Sequence, residues 1–349
     1  MVANRENVLN ILSKIIDPEL KKDLVSLNFV EKIDIEKKQI SLDLYISNPA
    51  LHAKKRLREA VEFNIHRFID KSYSVKCNIK ASPQKKQEGK KRPAGINKII
   101  AIASGKGGVG KSTITSNLAC GLTKIGYKVG IIDADIYGPS IPTMFGVVNE
   151  RPKPISINNE KKIQPITTHG VKVLSIGFFT AQENAIAWRG PMATRALQQL
   201  FSDAHWGELD FLLIDLPPGT GDIHLSLVQN IPLDGAIMVS TPQEIALADV
   251  KRGINMFQLE SINIPILGII ENMAWFCTEE NPEEKHYIFG RDGAQNLAKG
   301  LNVPFLGCVP VIQSIREAGD VGKPSVLQKN TLCEDVFSNI VNTFISDLD

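Results

Sequence analysis

Nowhere in the 349 residues do apolar positions run on for the roughly 18 that a membrane-spanning helix needs. The start, Met1-Val2-Ala3-Asn4-Arg5-Glu6, has no apolar signal core, so the expected location is the cytoplasm. Cysteine is scarce. Five residues (Cys77, Cys120, Cys277, Cys308 and Cys333), odd in number and widely spaced, offer no disulfide framework and read as reduced thiols. Nor is there a strong charge of one sign: 40 Lys and Arg against 38 Asp and Glu leave +2, too little for a global basic field aimed at nucleic acid. That balance is uneven along the chain. Residues 1–80 hold 15 basic and 11 acidic groups, residues 81–98 hold six and one, and residues 99–349 sum to −7. No internal repeat is visible. What remains is ordinary globular composition, 43% hydrophobic and 22% charged, on a chain long enough for two domains.

The clearest boundary is Ala81 to Lys98, with two prolines, two glycines and few apolar groups. It predicts a basic flexible linker over residues 81–97, between a small domain at 1–80 and a larger one at 98–349. Apolar periodicity predicts α-β-β-α-β for the small domain: Glu6 to Ile16, Val30 to Ile35, Ile40 to Ile46, Leu51 to Ile69 and Tyr73 to Ile79. The larger part alternates apolar strands with helices. Strands are expected at Ile99 to Ala103, Lys128 to Ile132, Val171 to Ile176, Phe211 to Ile214, Gly235 to Val239, Ile266 to Ile270 and Phe305 to Val309. The fold class is therefore α/β, a P-loop domain with a mostly parallel sheet, preceded by a small α+β domain.

The decisive segment is Gly105-Lys106-Gly107-Gly108-Val109-Gly110-Lys111-Ser112-Thr113, placed after an apolar strand and opening a helix. It satisfies G-x-x-x-x-G-K-[ST], in which backbone N–H groups and a helix N-terminus cradle phosphates. Lys111 is expected to neutralise the β- and γ-phosphates, and Ser112 to ligate magnesium. Leu212-Leu213-Ile214-Asp215 is a hydrophobic strand ending in a carboxylate, the Walker-B pattern for the magnesium shell. Asp133 and Asp135 end another strand, at the sheet edge where ligands bind in such folds. The stretch Gly219-Thr220-Gly221-Asp222 looks like a γ-phosphate switch. No guanine-reading N-K-x-D segment follows Glu271-Asn272-Met273.

With its second lysine, Lys106, the loop resembles the deviant P-loop of the nitrogenase iron proteins and the MinD and ParA ATPases. That resemblance implies a nucleotide-sandwich homodimer in which Lys106 reaches the partner's phosphates, and in which Asp135 orients the attacking water. It also implies that Asp133 supports the metal shell, that Asn272 bonds adenine and that Val309-Pro310 walls it. The segments Asp133 to Pro142, Arg189-Gly190-Pro191-Met192, Asp215 to Asp222, Ser240-Thr241-Pro242-Gln243 and Gly319 to Pro324 narrow the likeness. They resemble the Mrp/ApbC branch of iron–sulfur carrier ATPases. Ile16-Asp17-Pro18-Glu19-Leu20 and Val25-Ser26-Leu27 are similar to the small iron–sulfur-assembly domain often fused ahead of it. The resemblance implies ATP and Mg2+ as cofactors, an iron–sulfur cluster as cargo, and apo iron–sulfur proteins and assembly factors as partners. Nucleic acid and membrane are not expected as partners.

Two absences cut against that pattern. Where the branch carries Cys-x-x-Cys, this chain reads Cys277-Thr278-Glu279-Glu280, with one cysteine. Where the small domain carries a cysteine, it reads Asn48-Pro49-Ala50-Leu51-His52, with none. Four thiolates normally hold a cluster, and Cys277 from two protomers supplies half. Cys277 is thus either a cluster ligand or a free thiol on a surface loop, while Cys120, Cys308 and Cys333 read as structural. Three functions stay open: a cluster carrier, an ATP-gated scaffold without a cluster, and a positioning ATPase like ParA or MinD. The acidic end, Phe344 to Asp349, opposes the last.

Overall fold

The computed structural model describes residues 3–17, 22–46, 51–81, 92–157, 159–179 and 190–348. Residues 82–91 of the expected linker, 18–20 and 48–50 of the small-domain segments, and Arg189 lie outside the described residues. The chain divides into two compact units, Met1–Gly89 and Lys90–Asp349.

In the first unit the order is α1 (Arg5–Leu12), β1 (Val30–Glu36), β2 (Gln39–Ile46), α2 (Leu51–Phe68) and β3 (Ser74–Ala81). The Asn4 side chain caps α1 by accepting the Asn7 N–H at 2.8 Å. The helix stops at Leu12, short of the expected Ile16. Ile15 and Ile16 instead use their backbones to pair with Leu24 and Asp23. β1 and β2 run antiparallel, β2 and β3 parallel. Ile40, Leu42, Leu44 and Ile46, on one face of β2, pack against Val8, Leu12, Val61 and Ile65 of the helices. Each such side chain contributes about 1.5–3 kcal/mol by leaving water.

The second unit runs β4 (Ile96–Ser104), α3 (Lys111–Lys124), β5 (Val129–Asp133), α4 (Ile141–Met144), β6 (Lys153–Ile157), β7 (Glu160–Gln164), β8 (Ile166–Thr168) and β9 (Val171–Ser175). It continues α5 (Gly190–Ser202), β10 (Leu209–Asp215), α6 (Asp222–Asn230), β11 (Gly235–Ser240), α7 (Glu244–Phe257) and β12 (Ile266–Phe276). Then come α8 (Gly293–Leu301), β13 (Phe305–Val311), α9 (Gln313–Asp320) and α10 (Leu332–Ser346). One sheet takes eight strands in the order β13-β12-β11-β4-β10-β5-β9-β8. Every pairing is parallel except β8 with β9. β4 reads as an unbroken apolar run because both faces are covered. Ile99, Ala101 and Ala103 enter one core, Ile100 and Ile102 the other.

Three short strands and the end of another escaped periodicity. β8 is three residues long, and in the β6–β7 hairpin charged residues on both strands break up the alternation of Ile155, Ile157 and Ile163. β12 runs on to Phe276, past the expected end at Ile270, because Met273 takes a left-handed conformation (φ 56°) and the strand resumes pairing at Phe276 with Val311. The parallel strands bring their carboxyl ends to one edge, and both sites below sit there.

Candidate functional site

The first site forms where β4 turns into α3. Gly108 and Gly110 take positive φ (81° and 84°), which lets the loop curl before Lys111 opens the helix. A Cβ on Gly110 would lie 2.1 Å from the Asn272 side-chain nitrogen, and one on Gly105 would lie 2.2 Å from the α7 backbone at Asp249. The glycines are thus set by close approach from two neighbours. A cavity of about 230 Å³ opens over the loop, lined by Lys106 to Thr113, Ser104, Asp135, Gly138, Ser140, Met144 and Pro218.

Lys111 is buried, its Nζ 2.9 Å from Asp215 Oδ2 and 3.6 Å from Asp135 Oδ2. Ser112 Oγ donates to Asp215 Oδ2 at 2.6 Å, and Thr115 Oγ1 donates to Asp215 Oδ1 at 2.7 Å. Asp133 is wholly buried beside them. Burial first, then the neighbouring Asp215, hold its carboxyl above the ordinary range, against the pull of Lys111. Two carboxylates, Asp215 and Asp135, therefore meet one lysine. With the Ser112 hydroxyl they are hard-oxygen donors suited to Mg2+.

The expected residues do not all point the same way. Gly105 to Thr113, Lys111, Ser112, Asp135 and Asp215 come together, and exposed Lys106 lines the same cavity. Asp133 is different. Its oxygens accept the backbone N–H of Asp135 (3.1 Å), the N–H of Ile141 (3.2 Å) and the Ser175 hydroxyl (2.9 Å). With those bonds it shapes the loop that carries Asp135, and it does not itself line the cavity. Asn272 donates its amide to the Val109 carbonyl at 2.8 Å, so in this conformation it braces the P-loop. Val309 and Pro310 are buried and do not line the cavity.

His224, in α6, lies beneath the Pro217 turn and packs on Phe257. Its Nδ1 donates to the Pro217 carbonyl at 3.1 Å, and its Nε2 is buried with no partner among the described residues. Burial, with help from the Lys111 charge, pushes its pKa down to about 4, so the ring is neutral at pH 7.

A second site lies at the ends of β12 and β13. Cys277 is not on a surface loop: it is 1% exposed and donates its backbone N–H to Val311. It shares a small buried cluster with Ile312 and Cys333, against which Trp275 packs. Cys333, from the first turn of α10, lies 3.3 Å from the Ser314 hydroxyl. Burial pushes its thiol up, and Cys277 and Glu279 add to that. A cavity of about 320 Å³ adjoins the cluster, lined by Phe276 to Glu280, Ile312 to Ser314 and Glu317. Sequence reasoning missed Cys333 because no spacing rule ties it to Cys277. By contrast, Cys120 is buried in the α3 core and Cys308 faces Glu271, each away from this cluster.

Comparison with known proteins agrees with this geometry. The NUBPL iron-transfer P-loop NTPase family matches residues 95–345, and an iron–sulfur cluster assembly protein family matches residues 5–69. An iron–sulfur cluster carrier protein of Synechocystis is 39% identical over 324 residues, 92% of this chain and 91% of its own. A nucleotide-binding protein from Archaeoglobus fulgidus, solved in complex with ADP, is 38% identical with a TM-score of 0.59, covering 69% of this chain and 92% of its own. The cell division ATPase MinD of Pyrococcus furiosus shares the fold at 24% identity and a TM-score of 0.54, covering 72% of this chain and all of its own.

Proposed function

The chain belongs to the NUBPL iron-transfer P-loop NTPase family, and on that premise we propose that it is an ATP-hydrolysing carrier that binds iron–sulfur clusters and passes them to apoproteins. The observation that carries this reading is the likeness to a cluster carrier over 92% of the chain, together with an intact phosphate loop. The positioning reading is not favoured, since the curated relatives are cluster carriers and the larger part of the chain is acidic.

In the proposed cycle ATP lies over Gly105 to Thr113, and Lys111 leaves Asp215 and Asp135 for the β- and γ-phosphates. Ser112 and Asp215 would hold Mg2+, which would offset phosphate charge there. Asp135, freed of Lys111, orients the attacking water. Lys106, exposed at the same cavity, supplies its cation to the partner protomer of a homodimer. Asp133 and His224 keep the Asp135 loop and the Pro217 turn in place. Cys277 contributes to holding the cluster, in a cytoplasmic, reducing setting.

The test is transfer. The chain, loaded anaerobically, is mixed with an apoprotein bearing four free cysteines, with and without Mg–ATP. Transfer that depends on hydrolysable ATP supports the reading. Tight loading with no transfer under any nucleotide condition overturns it.

A further inference from the structure

Resting on the carrier reading above, we infer that the cluster is held by two thiolates from each protomer, Cys277 and Cys333, so that two copies of this chain supply all four. Cys277 alone leaves a homodimer two thiolates short of the usual four. The fold repairs that shortage. Cys277 at the end of β12 and Cys333 in the first turn of α10 enter one buried cluster, beside a cavity of about 320 Å³ that Cys277 and Ser314 line. Ser314 ties Cys333 to that cavity, its hydroxyl 3.3 Å from the sulfur.

A second observation concerns Trp275, which packs on the thiol cluster and also stands beside Lys285 and Tyr287. The Trp275 indole N–H is buried without a hydrogen-bond partner among the described residues, although its ring packs on the thiol cluster. Trp275 and Cys277 are two positions apart in extended chain and so share a face. A buried donor left unpaired costs about 1–3 kcal/mol. Sulfide or thiolate at a bound cluster would accept it, and hydrogen bonds to cluster sulfurs are one means of setting cluster properties.

A second copy is required by number. Among the described residues no group of three or more His, Cys, Asp and Glu could hold a metal within one chain. Two thiols make half a cluster site, and a copy of the same chain brings the other half. Beside them Phe276 and Val311, paired across β12 and β13, are exposed at 37% and 36%, an apolar rim on which a second copy can close. Loading is ligand exchange with no electron transfer. Each cysteine thiol gives its proton to a small thiolate leaving an iron, and the cysteine sulfur takes that thiolate's place on the metal. Both sulfurs are buried, so loading requires the 277–280 segment, which lines the cavity, to move aside.

The experiment is anaerobic reconstitution of the full chain with iron, sulfide and dithiothreitol, followed by iron and labile-sulfide counts, visible spectra and solution mass. Wild type should hold about four irons and four sulfides per two chains. Cys333→Ala and Cys333→Ser should each lower that content at least twofold, whereas Cys308→Ser should not. ATP turnover, which Cys333 does not touch, reports that each variant is folded. Adding Glu280→Cys to Cys333→Ala rebuilds a Cys-x-x-Cys with Cys277 and should restore the cluster if thiolate number is what was lost.

Wild-type content and spectrum in the Cys333 variants would overturn the ligand pair and leave the carrier reading standing. Loss of cluster in Cys333→Ala that Glu280→Cys does not recover would assign Cys333 a packing role and overturn the pair as well. A wild type that binds no cluster overturns both.

Discussion

The two sites on the sheet's carboxyl edge, one over its central strands and one by its outer strands, are built on opposite terms. At the P-loop every buried charge is already answered: Lys111 by Asp215 and Asp135, Asp215 by Ser112 and Thr115, Asp133 by Ser175 and two backbone N–H groups. At the ends of β12 and β13 the thiols and the Trp275 N–H are buried with little to satisfy them. A site saturated by its own protein must exchange partners when its ligand arrives. A site left unsatisfied waits for the ligand to complete it. The first suits a nucleotide that binds and leaves in a cycle; the second suits a cargo held until it is handed on.

Lys111→Ala strikes the saturated end hardest. It should cut ATP turnover about a thousandfold or more, since no other group can take the phosphate charge. Iron content after reconstitution should stay at wild type. Joint loss of both would mean that the two ends are not separable, which breaks the comparison.

His224 gives a pH test of the same end. Its pKa is depressed to about 4 in the folded chain against 6.5 for the free side chain, so between those values the unfolded state binds more protons. Stability should therefore be lost as pH falls from about 6.5 to 4 and then level off, by about 3 kcal/mol from this one group. Denaturant midpoints across that window check it. His224→Gln should be the less pH-dependent protein, and an unchanged slope would show the ring to be solvated.

Asp135→Asn should bind nucleotide yet slow hydrolysis by about a hundredfold, because water positioning acts in the transition state. Mixed with inactive Lys106→Ala, it should regain turnover, since one site of the heterodimer joins an intact Asp135 to a partner's intact Lys106. Heterodimers that form without regaining activity would argue against the sandwich.

The smallest effect tests the bridge between the ends. Asn272 braces the P-loop at Val109, and the same strand ends beside Cys277. Gly110→Ala forces a Cβ into the Asn272 amide at a positive φ and should cost roughly 2 kcal/mol of stability. Asn272→Ala should return part of that in the double variant, whose coupling a double-mutant cycle measures. Strict additivity would remove Asn272 as a contact between P-loop and strand.

Legibility in the sequence follows how local each feature is. The phosphate loop is contiguous, Asp133 and Asp215 each close an apolar strand and Asp135 follows two residues on, so the parallel fold and the nucleotide end could be read from pattern. The thiol end could not. Cys333 meets Cys277 only after α10 packs beside the end of β12, and nothing in the spacing announces that. The left-handed Met273 hid the last part of β12, which made a buried cysteine read as a loop thiol. Asp133 marks a related limit: a carboxylate at a strand end looks the same in sequence whether it faces a metal or caps a loop.

The central claim is that a chain with a complete ATP site also carries a cluster, despite the interrupted Cys-x-x-Cys. Iron and acid-labile sulfide counts on the anaerobically reconstituted wild type test it most directly. The account predicts about four of each per two chains, as a four-thiolate cluster shared by two copies requires. Iron at the level of a cysteine-free control protein, in a sample that still hydrolyses ATP, would contradict it.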